Sequence, residues 1–186
     1  MVKLVFLCRR RPDITHEHYA ALLVEGHIPL ALRHHPLMRR YVVNVVEEAH
    51  AGAPALDSIG CLWFDSLADY RDRLCDSAEG ARIIARDVAG FLGSADAYAT
   101  SEQVIVPSHG THTIVCLAGT SRDAWPSPHL GPRGYVASVV TQRLSATGPA
   151  YDAFAEVPDA PDIALTAHAG VASIACAYRV RAYVAK

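Results

Sequence analysis

Arg40-Tyr41-Val42-Val43-Asn44-Val45-Val46 is the stretch on which the reading of the fold turns. Valine carries two heavy atoms on Cβ, which favours a pleated strand over a helix. Upstream of it, Thr15 can cap a helix in which Tyr19, Leu22, Leu23, Gly26 and Leu30 share one face, with Pro29 set to end or kink it. Downstream, Ala53-Pro54 marks a loop and Ile59 to Phe64 reads as a further strand, with no helix between. Further out, Val2 to Arg10 is short, β-rich and followed by Pro12-Asp13, which predicts a first strand ending in a turn. Ser66 with Asp69 opens a second helix in capping-box style, and Ser77 can restart it. Ala81, Ile84, Ala85, Val88, Phe91 and Leu92 form its apolar stripe, and Thr100 to Val106 reads as a fourth strand. The order over residues 1–106 is therefore β-α-β-β-α-β, the arrangement of an α+β, ferredoxin-like unit. Two helices cover one face of such a sheet, and the other face needs a partner.

Near Pro107-Ser108-His109-Gly110 the composition shifts: charged residues crowd the part before it and prolines the part after. This divides the chain into a domain over residues 1–106 and a mostly β extension over 107–186. In the extension His112 to Ala118, Gly134 to Leu144, Asp162 to Ala167 and Val171 to Val184 read as strands, and Gly119 to Pro132 as a proline-rich loop. Arg133-Gly134-Tyr135-Val136-Ala137-Ser138-Val139-Val140 echoes the stretch at Arg40, and Thr113-Ile114-Val115-Cys116-Leu117 echoes Leu4-Val5-Phe6-Leu7-Cys8. These echoes raise a degenerate second repeat that has lost its helices.

The 186 residues are 51% hydrophobic and 19% charged, enough to bury a core in one ordinary domain or two very small ones. A formal net charge of −2 leaves no electrostatic footprint for nucleic acid or an anionic membrane. No apolar run approaches the roughly 20 residues of a membrane span. Met1 to Leu7 meets Cys8-Arg9-Arg10-Arg11, the reverse of a secretory signal, so the expectation is a cytoplasmic protein. The 5 cysteines are odd in number and scattered, which predicts buried free thiols and neither a disulfide framework nor zinc. His16-x-His18, His34-His35 and His109-x-x-His112 lack carboxylates at ligand spacing, so no metal or haem is expected. Neither GxGxxG, nor a P-loop, nor GxSxG occurs, which argues against a nucleotide cofactor or a serine elbow.

Val2-Lys3-Leu4-Val5-Phe6-Leu7 running into Arg10-Arg11-Pro12, then Glu25-Gly26-His27-Ile28-Pro29-Leu30, then Arg40-Tyr41-Val42-Val43-Asn44, then Leu62-Trp63-Phe64-Asp65-Ser66, then Arg86-Asp87 to Phe91, resembles the EthD family over residues 1–106. The resemblance implies a fold of the dimeric α+β barrel type, in which two ferredoxin-like units pack sheet on sheet, and hence a homodimer. It also implies a ligand cavity between sheet and helices. It does not imply one reaction, because relatives include proteins of ether degradation, polyketide cyclases and dehydratases, lactone isomerases and cofactor-free monooxygenases. The extension after residue 107 departs from the family and either closes the barrel within one chain or changes the surface that dimerises.

His27 lies at the edge of the first helix's stripe, beside the Pro29 break and inside the family match. An imidazole there suits general acid–base work near neutrality. Asp87, with Ile84 three behind and Phe91 four ahead, lies beside the second stripe, whereas Arg82 and Arg86 project outward. A carboxylate so placed needs a partner, and His27 on the neighbouring helix is within reach. A structural role, with His27 meeting free carbonyls and Asp87 a loop amide, satisfies the same spacing. Tyr41 and Asn44 fall on opposite strand faces, so only one of them can polarise a ligand's carbonyl in the cavity. Tyr19, Leu23, Trp63 and Phe91 line the cavity or fill core. The leading expectation is a cofactor-independent enzyme with catalytic residues His27, Asp87, Tyr41 and Asn44. It would cyclise, dehydrate or isomerise a small carbonyl-bearing, aromatic or polyketide-like compound. The alternatives are a cofactor-free monooxygenase or oxygenase accessory component, and a non-enzymatic binding protein.

Overall fold

In the computed structural model, which describes residues 1–50, 52–104, 111–118, 136–158 and 173–185, the valine-rich stretch forms strand β2 (Arg40–Ala49). Its neighbours are β1 (Val2–Arg10), β3 (Ser58–Phe64) and β4 (Leu92–Val104). The second half supplies β5 (Thr111–Ala118), β6 (Val136–Arg143), β7 (Ala153–Pro158) and β8 (Ser173–Val184). These strands form one closed barrel in the order β1-β3-β2-β8-β5-β7-β6-β4, every pair antiparallel. The circuit reads β4-β1-β3-β2 and then β8-β5-β7-β6.

This corrects the expected fold class. The molecule is a mostly β closed barrel of eight strands, not an α+β ferredoxin-like unit of the dimeric α+β barrel type with a mostly β second unit beside it. The physical reason lies in the two edge strands. β2 and β4 run 10 and 13 residues and overshoot the 7-residue β3 and 9-residue β1 beside them. Their spare N–H and C=O groups must be paired, and the chain pairs them itself. β2 takes β8 from Val42 opposite Val184 to Ala49 opposite Tyr178, and β4 takes β6 from Tyr98 opposite Arg143 to Val104 opposite Val136. The sheet face left open to the second half of the chain or to a partner chain becomes the barrel interior, closed by the second half.

Two strand readings also change. β4 begins at Leu92, eight residues before the expected Thr100, through the weakly β-forming Gly93-Ser94-Ala95-Asp96. Gly93 is needed there, because a Cβ would sit 2.6 Å from the Arg10 carbonyl oxygen at a register shift of β1. β7 has no counterpart in the reading, since Ala153, Ala155 and Pro158 carry little strand signal. The expected boundary at Pro107–Gly110, the strand Asp162–Ala167 and the loop Gly119–Pro132 lie outside the described residues.

Helices cover the outer face of β1–β4. α1 (His16–Ala21) starts at Thr15, whose hydroxyl accepts from His18 N at 3.2 Å. A π-helical segment (Leu22–His27) follows and passes into α2 (Ile28–His34). Pro29 therefore does not end the helix. Its ring would meet the carbonyl of Glu25 in a regular turn, and the turn widens so that Ile28 N–H reaches back five residues to Leu23 O. Widened turns of this kind recur at functional sites. α3 (Leu67–Arg73) carries the full Ser66–Asp69 capping box, and α4 (Ala78–Phe91) starts at Ser77, which caps Gly80 N at 2.9 Å. Leu4, Tyr19, Leu23, Tyr41, Phe64 and Phe91 pack between helices and barrel wall, while Val5, Leu7, Trp63, Tyr98 and Tyr178 fill the barrel. No helix among the described residues is long and apolar enough to cross a membrane.

Candidate active site

Side-chain alternation decides what the helices face. On β2, Tyr41 and Val43 turn outward beneath the helices, and Val42 turns into the barrel. The outward groups enclose a cavity of about 240 Å³ between the barrel wall and the helices, and its lining is mainly apolar. His27, Tyr41, Tyr19, Leu23 and Phe91, all expected at the site, line it.

His27 ends the π-helical turn, and its Nδ1 lies 2.8 Å from Asp87 Oδ2 on α4. An ionised carboxylate only accepts, so Nδ1 carries the proton and Nε2 the lone pair. Nε2 makes no hydrogen bond among the described residues. The ring stands edge-on to Phe91 at 5.4 Å and to Tyr41 at 6.4 Å between centroids. Asp87 holds the imidazole from behind, outside the cavity lining.

Tyr41 is buried yet has no hydrogen-bond partner among the described residues. Burial pushes its phenol well above the usual range, with the nearby Cys8 and Cys61 thiols and Asp87 adding to this. The hydroxyl therefore stays protonated and is a donor held in apolar surroundings. Tyr19, by contrast, is spent locally: its hydroxyl pairs with Ser58 Oγ at 2.7 Å, and its ring packs edge-on to Phe91. Cys8 also lines the cavity, but burial pushes its thiol up to about 11, so little thiolate nucleophile exists at neutral pH.

Asn44 and Trp63 are not brought to this cavity. Asn44 lies on the strand face opposite Tyr41, where its Nδ2 donates to Ile59 O at 3.0 Å and its Oδ1 is buried without a partner. Trp63 sits inside the barrel, stacked by Arg40 at 4.6 Å and under Lys3 at 4.9 Å, with its indole N–H toward Glu102. Lys3 also lies inside the barrel. Its Nζ is buried and meets Ser138 Oγ at 2.9 Å, Glu102 Oε2 at 2.9 Å and Glu156 Oε1.

Among the lining residues not expected at the site are Tyr70 and His35. Tyr70 on α3 packs against Phe6 and Phe64, and its hydroxyl has no partner among the described residues. His35 lines the cavity just past α2. A signal for it existed: Tyr19, Leu23, His27, Ala31 and His35 recur every four residues. Among the described residues no three His, Cys, Asp or Glu side chains stand together as a metal site would require.

No family model matches the chain, and no curated protein matches it. Among solved structures it is similar to a crystal structure described as an anthrone oxidase-like protein. The TM-score is 0.57 at 11% identity, covering 99% of this chain and 92% of that one. The likeness is one of fold. It extends over the whole barrel, both halves included.

Proposed function

We propose that the chain is an enzyme that moves a proton on a small, flat, carbonyl-bearing compound held in the cavity. The observation that carries the proposal is His27, oriented by Asp87 through Nδ1 and standing beside Tyr41, with neither its Nε2 nor the Tyr41 hydroxyl hydrogen-bonded among the described residues. His27 Nε2 takes the proton from the carbon next to the carbonyl. Tyr41 O–H donates to the carbonyl oxygen as it gains charge in the enolate. A positioned general base is worth about 10²–10⁴-fold in rate, and one oxyanion donor about 10²–10³-fold. Cyclisation, dehydration and isomerisation all proceed from such an enolate. The cavity is smaller than the roughly 300–1,000 Å³ of sites for drug-sized ligands, so a two- or three-ring compound suits it.

A second reading is favoured by the name of the structural neighbour. Once a methylene between aromatic rings has lost its proton to His27, its electrons can pass to dioxygen, with the methylene becoming a carbonyl and water leaving. The test uses 1-tetralone in D2O, following exchange at C2 by NMR, and anthrone in an oxygen electrode. Enzyme-dependent exchange supports proton transfer. Oxygen uptake with anthrone supports the oxidase. Neither response at saturating ligand would leave a binding protein.

A further inference from the structure

His35 is 5% exposed and lines the same cavity as His27. Its Nδ1 lies 3.0 Å from the Leu74 carbonyl oxygen and 3.7 Å from Cys75 Sγ. A backbone carbonyl only accepts, so Nδ1 carries the hydrogen and Nε2 is left with its lone pair. Nε2 makes no hydrogen bond among the described residues. The ring is therefore a fixed acceptor in a mainly apolar cavity, in which the Tyr41 and Tyr70 hydroxyls and His27 Nε2 are likewise without a partner among the described residues.

We infer that His35 forms a hydroxyl-binding subsite, so that the ligand is a hydroxylated carbonyl compound, a phenolic ketone by class. The inference rests on the proposed reading of the cavity. Tyr41 answers the carbonyl, His27 the acidic carbon, and His35 a hydroxyl at the far side of the ring system. An alkyl amine would also donate, but it arrives charged and is costly to bury without a counter-ion, and a neutral aryl amine is a weaker donor than a phenol. Burial, together with the neighbouring His27 and His34, lowers the His35 pKa against the support of the Leu74 carbonyl. The imidazole thus stays neutral and keeps its acceptor at physiological pH. The preference runs in one direction, since a ligand lacking the hydroxyl fills the cavity and leaves Nε2 unpaired.

The test compares the Kd of 1-tetralone, 6-hydroxy-1-tetralone and 6-methoxy-1-tetralone by calorimetry. The hydroxyl compound should bind about three- to tenfold tighter than the parent, and the methoxy compound, which cannot donate, no tighter. His35→Phe should bring hydroxyl compound and parent to the same Kd. His35→Gln, which keeps one donor for Leu74 and one acceptor for the cavity, should retain part of the preference. Equal Kd values in the wild type overturn the subsite, as does a preference that survives in folded His35→Phe. If none of the three compounds binds, the cavity reading and this inference fall together. Binding with the preference but without exchange at C2 overturns proton transfer alone and leaves the subsite standing.

Discussion

The barrel interior and the helix-covered face treat their tyrosines and charges differently. In the barrel core, Tyr98 donates to Pro149 O, Tyr178 donates to Pro54 O and the Tyr151 hydroxyl meets Cys176 Sγ. Lys3 likewise has Ser138, Glu102 and Glu156 around it. Under the helices, Tyr19 pairs with Ser58, but the Tyr41 and Tyr70 hydroxyls and the outer ring nitrogens of His27 and His35 make no hydrogen bond among the described residues. An unpaired buried polar group costs about 1–3 kcal/mol. A face that pairs its polar groups is built for stability, and a face that leaves several unpaired around a cavity is built to receive a ligand. Asn44 Oδ1 is buried in the interior without a partner among the described residues, and a buried water fits it.

The largest expected effect comes from Lys3→Ala, which leaves Glu102 and Glu156 facing each other inside the barrel. Breaking a buried pair costs about 3–5 kcal/mol, or roughly 10 °C in a melt of a chain this long. The pH dependence has a definite sign. Burial raises the Glu156 carboxyl, but Lys3 outweighs this and holds it below the usual range. Its stabilisation is therefore present above the ordinary Glu value of about 4.3 and is lost as pH falls through the lower folded value. Burial works against the Lys3 charge, yet Glu156, Cys61 and Glu102 raise it overall. Its contribution is full below the ordinary Lys value of about 10.4 and is lost only as pH rises past the folded one. In Lys3→Ala the carboxylates repel, so the gap in melting temperature to wild type should narrow between pH 7 and pH 5. A gap that stays constant would break the pairing argument.

Tyr41→Phe tests the other face. It should slow C2 exchange of 1-tetralone by about 10²–10³-fold while leaving the melting temperature unchanged or higher, because no protein bond is lost. Tyr178→Phe should do the reverse, costing about 1 kcal/mol with exchange intact. If both variants behave alike, the contrast between faces fails. Gly60→Ala gives the smallest effect. A Cβ there lies 3.8 Å from Phe6 Cβ, so the fold accommodates it, and it projects into the cavity lining. Affinity for a three-ring ligand should fall several-fold more than for 1-tetralone, measured by calorimetry.

Much of the cavity's helical wall was legible. Thr15, Ser66 and Ser77 announced the helix starts, and the stripes through Leu23 and Phe91 set His27 and Asp87 beside each other. The barrel wall was not. Val42, Val43, Val45 and Val46 are all buried, so β2 shows no inside–outside alternation that would choose Tyr41 over Asn44. β3 is buried almost throughout and hid the inward turn of Trp63 for the same reason. Closure of the barrel was illegible because it depends on pairings such as Val42 with Val184, which no local pattern encodes. The β-α-β-β-α-β order left one sheet face bare, and of the two ways to cover it, the second half of this chain or another chain, the structure shows the first.

The most direct test of the account is the rate of C2 exchange of 1-tetralone in D2O with wild type and His27→Ala, each shown by its melt to be folded. The account predicts exchange by the wild type and a loss of about 10²-fold or more in His27→Ala, with the melting temperature within a few degrees. Exchange that persists undiminished in folded His27→Ala would contradict it.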